Sequence, residues 1–160
     1  MLINQDIHTL DLLRRLAGDL MLRDCTMSAK RLAETIETED TCDMLLMDSA
    51  GWRFLFYASN CGANNLPVQM HMLFEKGEIH LDGARLMVKG PQGTVFEDYT
   101  TTLAVGKDYW GSGHRPFIED FYRRIRAGQP PFITPADVLE TTRLLEKAYN
   151  HPMSVRRRPV

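Results

Sequence analysis

The chain lacks the features that mark several large classes of protein. It has only three cysteines, Cys25, Cys42 and Cys61. An odd number without close pairing argues against a disulfide framework and suits a reducing compartment. No apolar run approaches the length of a membrane span, and the first residues form no signal peptide. We therefore expect a cytoplasmic protein with no membrane association.

Basic residues are not in excess either. The formal net charge is −2, and the single basic run is Arg156-Arg157-Arg158 near the C-terminus. A protein that binds phosphate backbones would carry a clustered basic excess. Nucleic acid is therefore not an expected partner.

Metal and dinucleotide motifs are also missing from the sequence. No His, Asp or Glu residues fall into a recognised ligand spacing with a third in support, so no metal site is expected, and His71 and His80 are interpreted as structural or surface residues. The pairs Gly90/Gly93 and Gly111/Gly113 lack the three-glycine spacing of a pyrophosphate-binding turn. We expect no cofactor-binding residues in this chain.

The residues that are present predict an α+β domain. A chain of 160 residues leaves room for a single domain, 1–160. Between Thr41 and Thr102, short β-prone runs alternate with turns such as Lys76-Gly77 and Asp82-Gly83-Ala84. Such a meander of hairpins predicts a mainly antiparallel open sheet. Periodic segments before and after it predict about three helices packed on one face of the sheet.

Two of these helices follow the sheet. The first is expected to bury an apolar stripe that includes Phe117 and Ile125. The second is expected to begin with Thr134 as N-cap, Pro135 at the first position and Asp137 reaching back.

The other face of the sheet is also rich in apolar residues. In the strand that runs from Trp52 to Ser59, Phe54 and Phe56 share one face, while Leu55 and Tyr57 point the other way. A solvated face is usually more polar than that. This pattern predicts a homo-oligomer through the sheet face, with a dimer as the expected state. The alternative is an ordinary half-exposed sheet with some apolar surface residues.

An amphipathic helix is predicted from Asn4 to Gly18, with Gly18 placed for a C-cap. Asn4, His8 and Asp11 are spaced four and three residues apart, so they neighbour one another on a helix. An imidazole between an amide and a carboxylate is a candidate proton-transfer site. The alternative is a solvated first turn in which Asn or Asp caps the helix.

Three segments together resemble one protein family. They are Asn4–Leu13, Glu39-Asp40-Thr41 before the β run, and Tyr109 to Gly128. In this order they are similar to the C-terminal domain of the glucose–fructose oxidoreductase / inositol dehydrogenase (Gfo/Idh/MocA) family. The resemblance implies NAD or NADP as cofactor of the complete enzyme, and a sugar, polyol or related compound as substrate.

The resemblance also implies roles for individual residues. His8 aligns with the family's catalytic histidine, a proton donor or acceptor for the substrate hydroxyl. Asn4 stands where many members have Asp, and an amide orients an imidazole without favouring its charge. Asp11 matches a recurrent acid and is a candidate substrate contact. Its alternative role is that of a helix-surface carboxylate or a cap partner.

Further candidate substrate-binding residues come from two other places. His114 lies at the start of a predicted helix, just after Tyr109 and Trp110, and this cluster could form a sugar-binding corner. Asn60, at the end of a central strand, could also reach the site. The alternative for the first cluster is capping or packing.

The chain alone is expected to be inactive. The family's Glu-Lys-Pro motif is absent, since neither Glu75-Lys76 nor Glu146-Lys147 is followed by proline. The sequence thus predicts a substrate-binding and oligomerisation domain without its Rossmann domain, which a partner chain could supply in trans. The alternative is a stand-alone, non-catalytic dimeric module that binds a small polar ligand or a protein partner. Met1-Leu2-Ile3 is interpreted as the end of a buried strand, and a stand-alone domain is expected to bury Leu2 and Ile3, whereas a fragment would leave an exposed apolar surface there.

Overall fold

The computed structural model describes residues 1–29, 32, 35–64, 66–100 and 113–151. They belong to two compact units, one formed by residues 1–64 and 133 onward, the other by residues 65–132. The single domain expected over residues 1–160 stays a prediction.

Along the described chain, seven consecutive strands lie between helical segments, as is typical of an α+β fold. The first unit holds a π-helical turn, helix α1, strands β1 to β3 and helix α3, and the second holds strands β4 to β7 and helix α2. Their bounds are Leu2–Asp6 for the π-helical turn, α1 Ile7–Ala17, β1 Met21–Ser28, β2 Thr41–Met47, β3 Arg53–Ser59, β4 Gln69–Phe74, β5 Gly77–Asp82, β6 Arg85–Gly90, β7 Gly93–Asp98, α2 His114–Arg126 and α3 Pro135–Tyr149.

All the strand pairs in the described structure are antiparallel. The strands form a three-stranded sheet in the order β1-β2-β3 and a four-stranded sheet in the order β4-β5-β6-β7. Neighbouring strands follow one another in sequence, as a meander requires. The predicted α+β class with a mainly antiparallel open sheet is confirmed.

The core of the first unit lies between its sheet and the helices α1 and α3. Phe56 and Ala58 are buried as their strand alternation predicts, while Leu55 and Tyr57 on the other face are 84% and 68% exposed. The other buried apolar side chains described in this unit are Met1, Leu2, Leu10, Leu13, Cys25, Met27, Cys42, Met44, Leu46, Leu144, Leu145 and Ala148.

The first residues are helical, so the predicted strand at Met1-Leu2-Ile3 is wrong. Three consecutive apolar residues carry no period that separates a strand from a helix. The backbone N–H groups of Asn4 and Gln5 both donate to the carbonyl of Met1, at 3.0 Å each. Leu2 is buried and Ile3 is 60% exposed, so this pair does not separate a stand-alone domain from a fragment.

Helix α3 begins as its sequence predicts. Thr134 precedes Pro135, and the Asp137 carboxylate accepts hydrogen bonds from the Thr134 N–H at 2.7 Å and from its hydroxyl at 2.6 Å. Such a capping arrangement supplies partners to groups at the start of a helix. Both donors and the acceptor lie within four residues, and for this reason the sequence alone reveals the boundary.

The second unit differs from its prediction in two respects. The β4–β5 turn is Glu75-Lys76, one residue earlier than predicted, since Phe74 pairs with Gly77. A buried apolar stripe was expected on α2, but none of its residues is buried, and Phe117 and Ile125 are about half exposed.

Among the helices of the described residues, none is both long and apolar enough to cross a bilayer.

Candidate functional site

His8 stands in the first turn of α1, with its side chain exposed. It makes no hydrogen bond or ion pair with any other residue that the structure describes. Asn4, also exposed, lies four residues earlier in the π-helical turn. Local π-helical geometry often occurs at functional sites. The predicted pair thus lies at a helix start, with the imidazole open to a ligand.

Helix α1 is fixed to α3 one turn beyond His8. The Thr141 hydroxyl donates to Asp11 Oδ1 at 2.5 Å, and Arg15 Nε donates to Asp11 Oδ2 at 2.8 Å. Arg14 Nε donates to Thr141 Oγ1 at 2.9 Å, and its guanidinium also donates to the carbonyl of Asp137. Such a network restrains the helix that carries the imidazole.

The same network explains the ionisation of Asp11. Burial by itself raises the pKa of Asp11, but hydrogen bonds from Thr141 and Arg15 and the charges of Arg14 and Arg15 outweigh it and hold the pKa below its usual value. Both carboxylate oxygens already have protein partners. The substrate contact suggested for Asp11 stays a prediction. The hydrogen bond from Thr141 shows a structural role for Asp11, since it holds α1 against α3.

A second buried carboxylate anchors the start of the chain. Glu39 is 1% exposed. Its Oε1 accepts the Leu2 N–H at 2.7 Å and the Tyr149 hydroxyl at 2.8 Å, and Oε2 accepts the Thr38 hydroxyl. Burial raises its pKa, but these hydrogen bonds prevail and lower the pKa to about 2. Glu39 therefore ties the segment before His8 to the end of α3.

Asp6 is a residue of this segment that sequence reasoning passed over. Its Oδ2 is buried and lacks a hydrogen-bond partner among the described residues. Burial raises the pKa of Asp6 above its usual value; the positive charge of the Met1 amino group opposes this shift, and the negative charge of Glu39 adds to it. A carboxyl group with a raised pKa, two residues before His8, is a further candidate for proton exchange.

The other predicted site residues fall in different places. Asn60 is exposed just after β3, and its N–H donates to the Asp40 carbonyl at 2.9 Å. His114 is the exposed first residue of α2, in the second unit. Tyr109 and Trp110 lie outside the described residues. The structure therefore brings Asn4, His8 and Asp11 together on one helical segment, and the roles of Asn60, His114 and Tyr109 stay predictions.

The described residues do not fit a dinucleotide. A pyrophosphate site uses a glycine-rich turn between a strand and a helix, where a side chain would block the backbone. Gly113, directly before α2, has a φ of −73° and open space where a Cβ would lie. A residue with a side chain would fit there equally well. Within the described segments no strand leads through a glycine-rich turn into a helix.

Comparison with known proteins gives structural relatives only. No protein-family model matches the chain. No curated protein sequence matches it either. Solved structures do match, and those named below each share the fold over almost the whole chain.

An oxidoreductase from Agrobacterium radiobacter, in complex with NAD+, L-tartaric acid and magnesium, is similar to 94% of this chain, with 26% identity and a TM-score of 0.71. The WlbA dehydrogenase from Bordetella pertussis, in complex with NADH and UDP-GlcNAcA, is similar to 93% of it, with 22% identity and a TM-score of 0.71. A UDP-N-acetylglucosamine 3-dehydrogenase from Acidithiobacillus ferrooxidans is similar to 96%, with 19% identity and a TM-score of 0.64.

The chain covers 46%, 44% and 46% of those three proteins, less than half of each. The fold therefore agrees with the family that the three sequence motifs indicate, and its extent agrees with one domain of a larger enzyme. In its motifs and its fold together, the chain resembles the C-terminal type of domain of the Gfo/Idh/MocA oxidoreductases.

Proposed function

We propose that this chain is the substrate-binding half of an NAD(P)-dependent oxidoreductase that acts on a small hydroxylated compound, a sugar, a polyol or a related hydroxy acid. The observation that carries the proposal is His8, an exposed imidazole on a helix that is fixed on its inner side by Asp11, Arg14 and Thr141. An imidazole that is open to solvent on a restrained helix is suited to exchange a proton with a bound hydroxyl group.

The step of the reaction that we assign to this chain is the proton transfer. When a hydroxyl group is oxidised to a carbonyl, its carbon gives up a hydride, which the dinucleotide would accept, and its oxygen gives up a proton, which neutral His8 accepts. In the reverse direction protonated His8 returns the proton. Asn4 is not hydrogen-bonded to His8 in the described structure, and its proposed role is to orient the ring through its amide, without adding charge, when substrate is bound. The dinucleotide is bound outside the residues described here, so the chain alone is expected to be inactive.

The substrate class is supported by the relatives. One solved structure holds L-tartaric acid and another holds UDP-GlcNAcA, and both carry hydroxyl groups beside carboxylate or phosphate charges. Of the two, the tartrate-bound oxidoreductase has the higher identity, 26%. We therefore place hydroxy acids first among the candidate substrates, with sugars and polyols next.

The proposal includes oligomerisation through the outer face of the first sheet. Leu55 and Tyr57 are 84% and 68% exposed on this face. Leu45 lies directly opposite Leu55 on the neighbouring strand β2. Contiguous exposed apolar side chains on a sheet favour contact with a second protein surface, and a second copy provides a self-complementary one.

Proton NMR of the histidine imidazoles tests the site. L-tartrate and UDP-N-acetylglucosamine are titrated separately into the 15N-labelled chain while the five imidazole signals are followed. We expect a saturable shift of the His8 signal with at least one of the two compounds. If α1 positions the ring, this shift should disappear in the variant Asp11→Asn. His151→Gln, which removes an imidazole beyond the end of α3, is the control for assignment and for unspecific effects. A saturable shift confined to other histidines would contradict the proposal.

A further inference from the structure

The second sheet carries a cluster that the sequence spacing did not reveal. His71 on β4 lies directly opposite His80 on β5, and Glu78 shares their face of the sheet. The two imidazole rings stack with their centroids 3.7 Å apart. Both Nε2 atoms are 3.3 Å from the same carboxylate oxygen, Glu78 Oε2.

The spacing of these three atoms suits a single metal ion. Each of the three residues offers one ligand atom, and these atoms all lie within 4.8 Å of one another. Ligand atoms bound at about 2.1 Å from a tetrahedral zinc ion are roughly 3.4 Å apart. The two nitrogen–oxygen distances of 3.3 Å already match that separation, so an ion could be bound with small side-chain movements.

The chemistry of the donors selects the kind of ion. Two imidazoles and one carboxylate are typical ligands of Zn2+ and other divalent first-row transition metals, whereas Mg2+ and Ca2+ prefer oxygen alone. Glu78 is a surface side chain, and a surface carboxyl group is ionised at neutral pH. Lys89 Nζ donates a hydrogen bond to the other oxygen of Glu78, Oε1, at 3.2 Å, so Oε2 is left for the ion.

The cluster is also open on its outer side. The side chains of His71, His80 and Glu78 are 47%, 42% and 25% exposed. Three protein ligands at the surface leave room for water or another ligand as a fourth.

We propose that His71, Glu78 and His80 form a binding site for a divalent transition-metal ion, with Zn2+ as its best-matched occupant. The site stands on the β4–β5 hairpin of the second unit and does not depend on the function proposed for His8.

Calorimetric titration of zinc sulfate into the tag-free, chelator-treated chain tests this site. We expect saturable binding of one equivalent, and no heat of specific binding with magnesium sulfate. Removal of a direct ligand in His80→Ala or Glu78→Gln should weaken binding at least tenfold, because even partners of metal ligands are commonly worth 10- to 100-fold. His151→Gln, which removes an imidazole elsewhere, should leave the affinity unchanged.

Two readouts keep the result decisive. All three side chains are at the surface, so each metal-free variant should keep the urea midpoint of the parent chain. An unchanged midpoint shows that the variant is still folded. The absorption spectrum with Co2+ separates nitrogen and oxygen ligands from thiolates such as Cys61, because only thiolates add a sulfur charge-transfer band. Equal zinc affinity in His80→Ala and the parent chain, a thiolate band, or no saturable binding at submillimolar zinc would overturn the proposal.

Discussion

The hydroxyl of Thr141 on α3 donates a hydrogen bond to Oδ1 of Asp11 on α1 at 2.5 Å, one helical turn beyond His8. Thr141 is 2% exposed, and the bond joins residues that are 130 positions apart in the chain. The position of His8, the candidate catalytic histidine, thus depends on α3 as well as on α1.

Thr141→Val should lower the free energy of unfolding by about 1–2 kcal/mol. The substitution keeps the shape of the side chain, but removes both the donor to Asp11 and the acceptor of Arg14 Nε. Urea denaturation measures the change. Thr142→Val is the matched control, because the exposed Thr142 hydroxyl bonds only to the carbonyl of Val138 within its own helix. An equal loss of unfolding free energy in the two variants would show that the hydrogen bond to Asp11 does not stabilise the fold.

Glu39 should give the protein an acid-sensitive component of stability. Its pKa is about 2 in the folded chain against an ordinary 4.5, so the unfolded chain binds more protons between these values. The stabilisation is therefore complete above about pH 4.5 and is lost as the pH falls towards 2. The shift corresponds to about 3 kcal/mol.

Glu39→Gln should be less stable than the parent at neutral pH and should show a flatter pH dependence of stability between pH 5 and pH 2. Denaturant midpoints across this range measure both effects. Glu37→Gln is the control, since Glu37 is exposed two residues away. A parent-like pH dependence in Glu39→Gln would contradict the role assigned to the buried carboxylate.

Gly77→Ala should destabilise the second sheet, whereas Gly90→Ala should not. A Cβ at Gly77 would lie 2.0 Å from the Lys89 carbonyl oxygen of the adjacent strand, and a backbone atom cannot turn aside. At Gly90 the same Cβ meets nothing within 4 Å. We expect a loss of about 2 kcal/mol or more for Gly77→Ala. Because β5 carries Glu78 and His80, zinc binding should weaken in the same variant.

Leu55→Asp should shift the chain towards the monomer if the outer face of the first sheet joins two copies. A charge on this face would have to be desolvated in the interface. Light scattering coupled to size-exclusion chromatography gives the mass of each species. Leu66→Asp, at a loop position that is 77% exposed, is the control. A parent chain that is monomeric at high concentration would contradict oligomerisation through this face.

Local signals were sufficient for much of the fold. The start of α3 follows from Thr134, Pro135 and Asp137, which interact within one turn. The inward and outward alternation around Leu55 and Phe56 follows from strand geometry alone. The class of the fold was correct because hairpins join strands that are consecutive in sequence.

Features that depend on distant residues or on register could not be predicted. Nothing near Glu39 indicates that its partner is Tyr149, 110 positions away. Gly77 was interpreted as a turn residue, so the predicted β4–β5 turn was displaced by one position. That register would place His71 opposite Asp82, whereas in the structure His71 lies opposite His80. The space required by the Lys89 backbone explains this glycine and becomes visible only when the strands are paired.

The central claim is that this chain provides the substrate side of the reaction and relies on another domain for the dinucleotide. Calorimetric titration of NADH and of NADPH into the purified chain tests it most directly. We expect no saturable binding up to millimolar concentrations of either cofactor. Saturable binding of either one would contradict this claim, and would mean that the chain contains a dinucleotide site of its own.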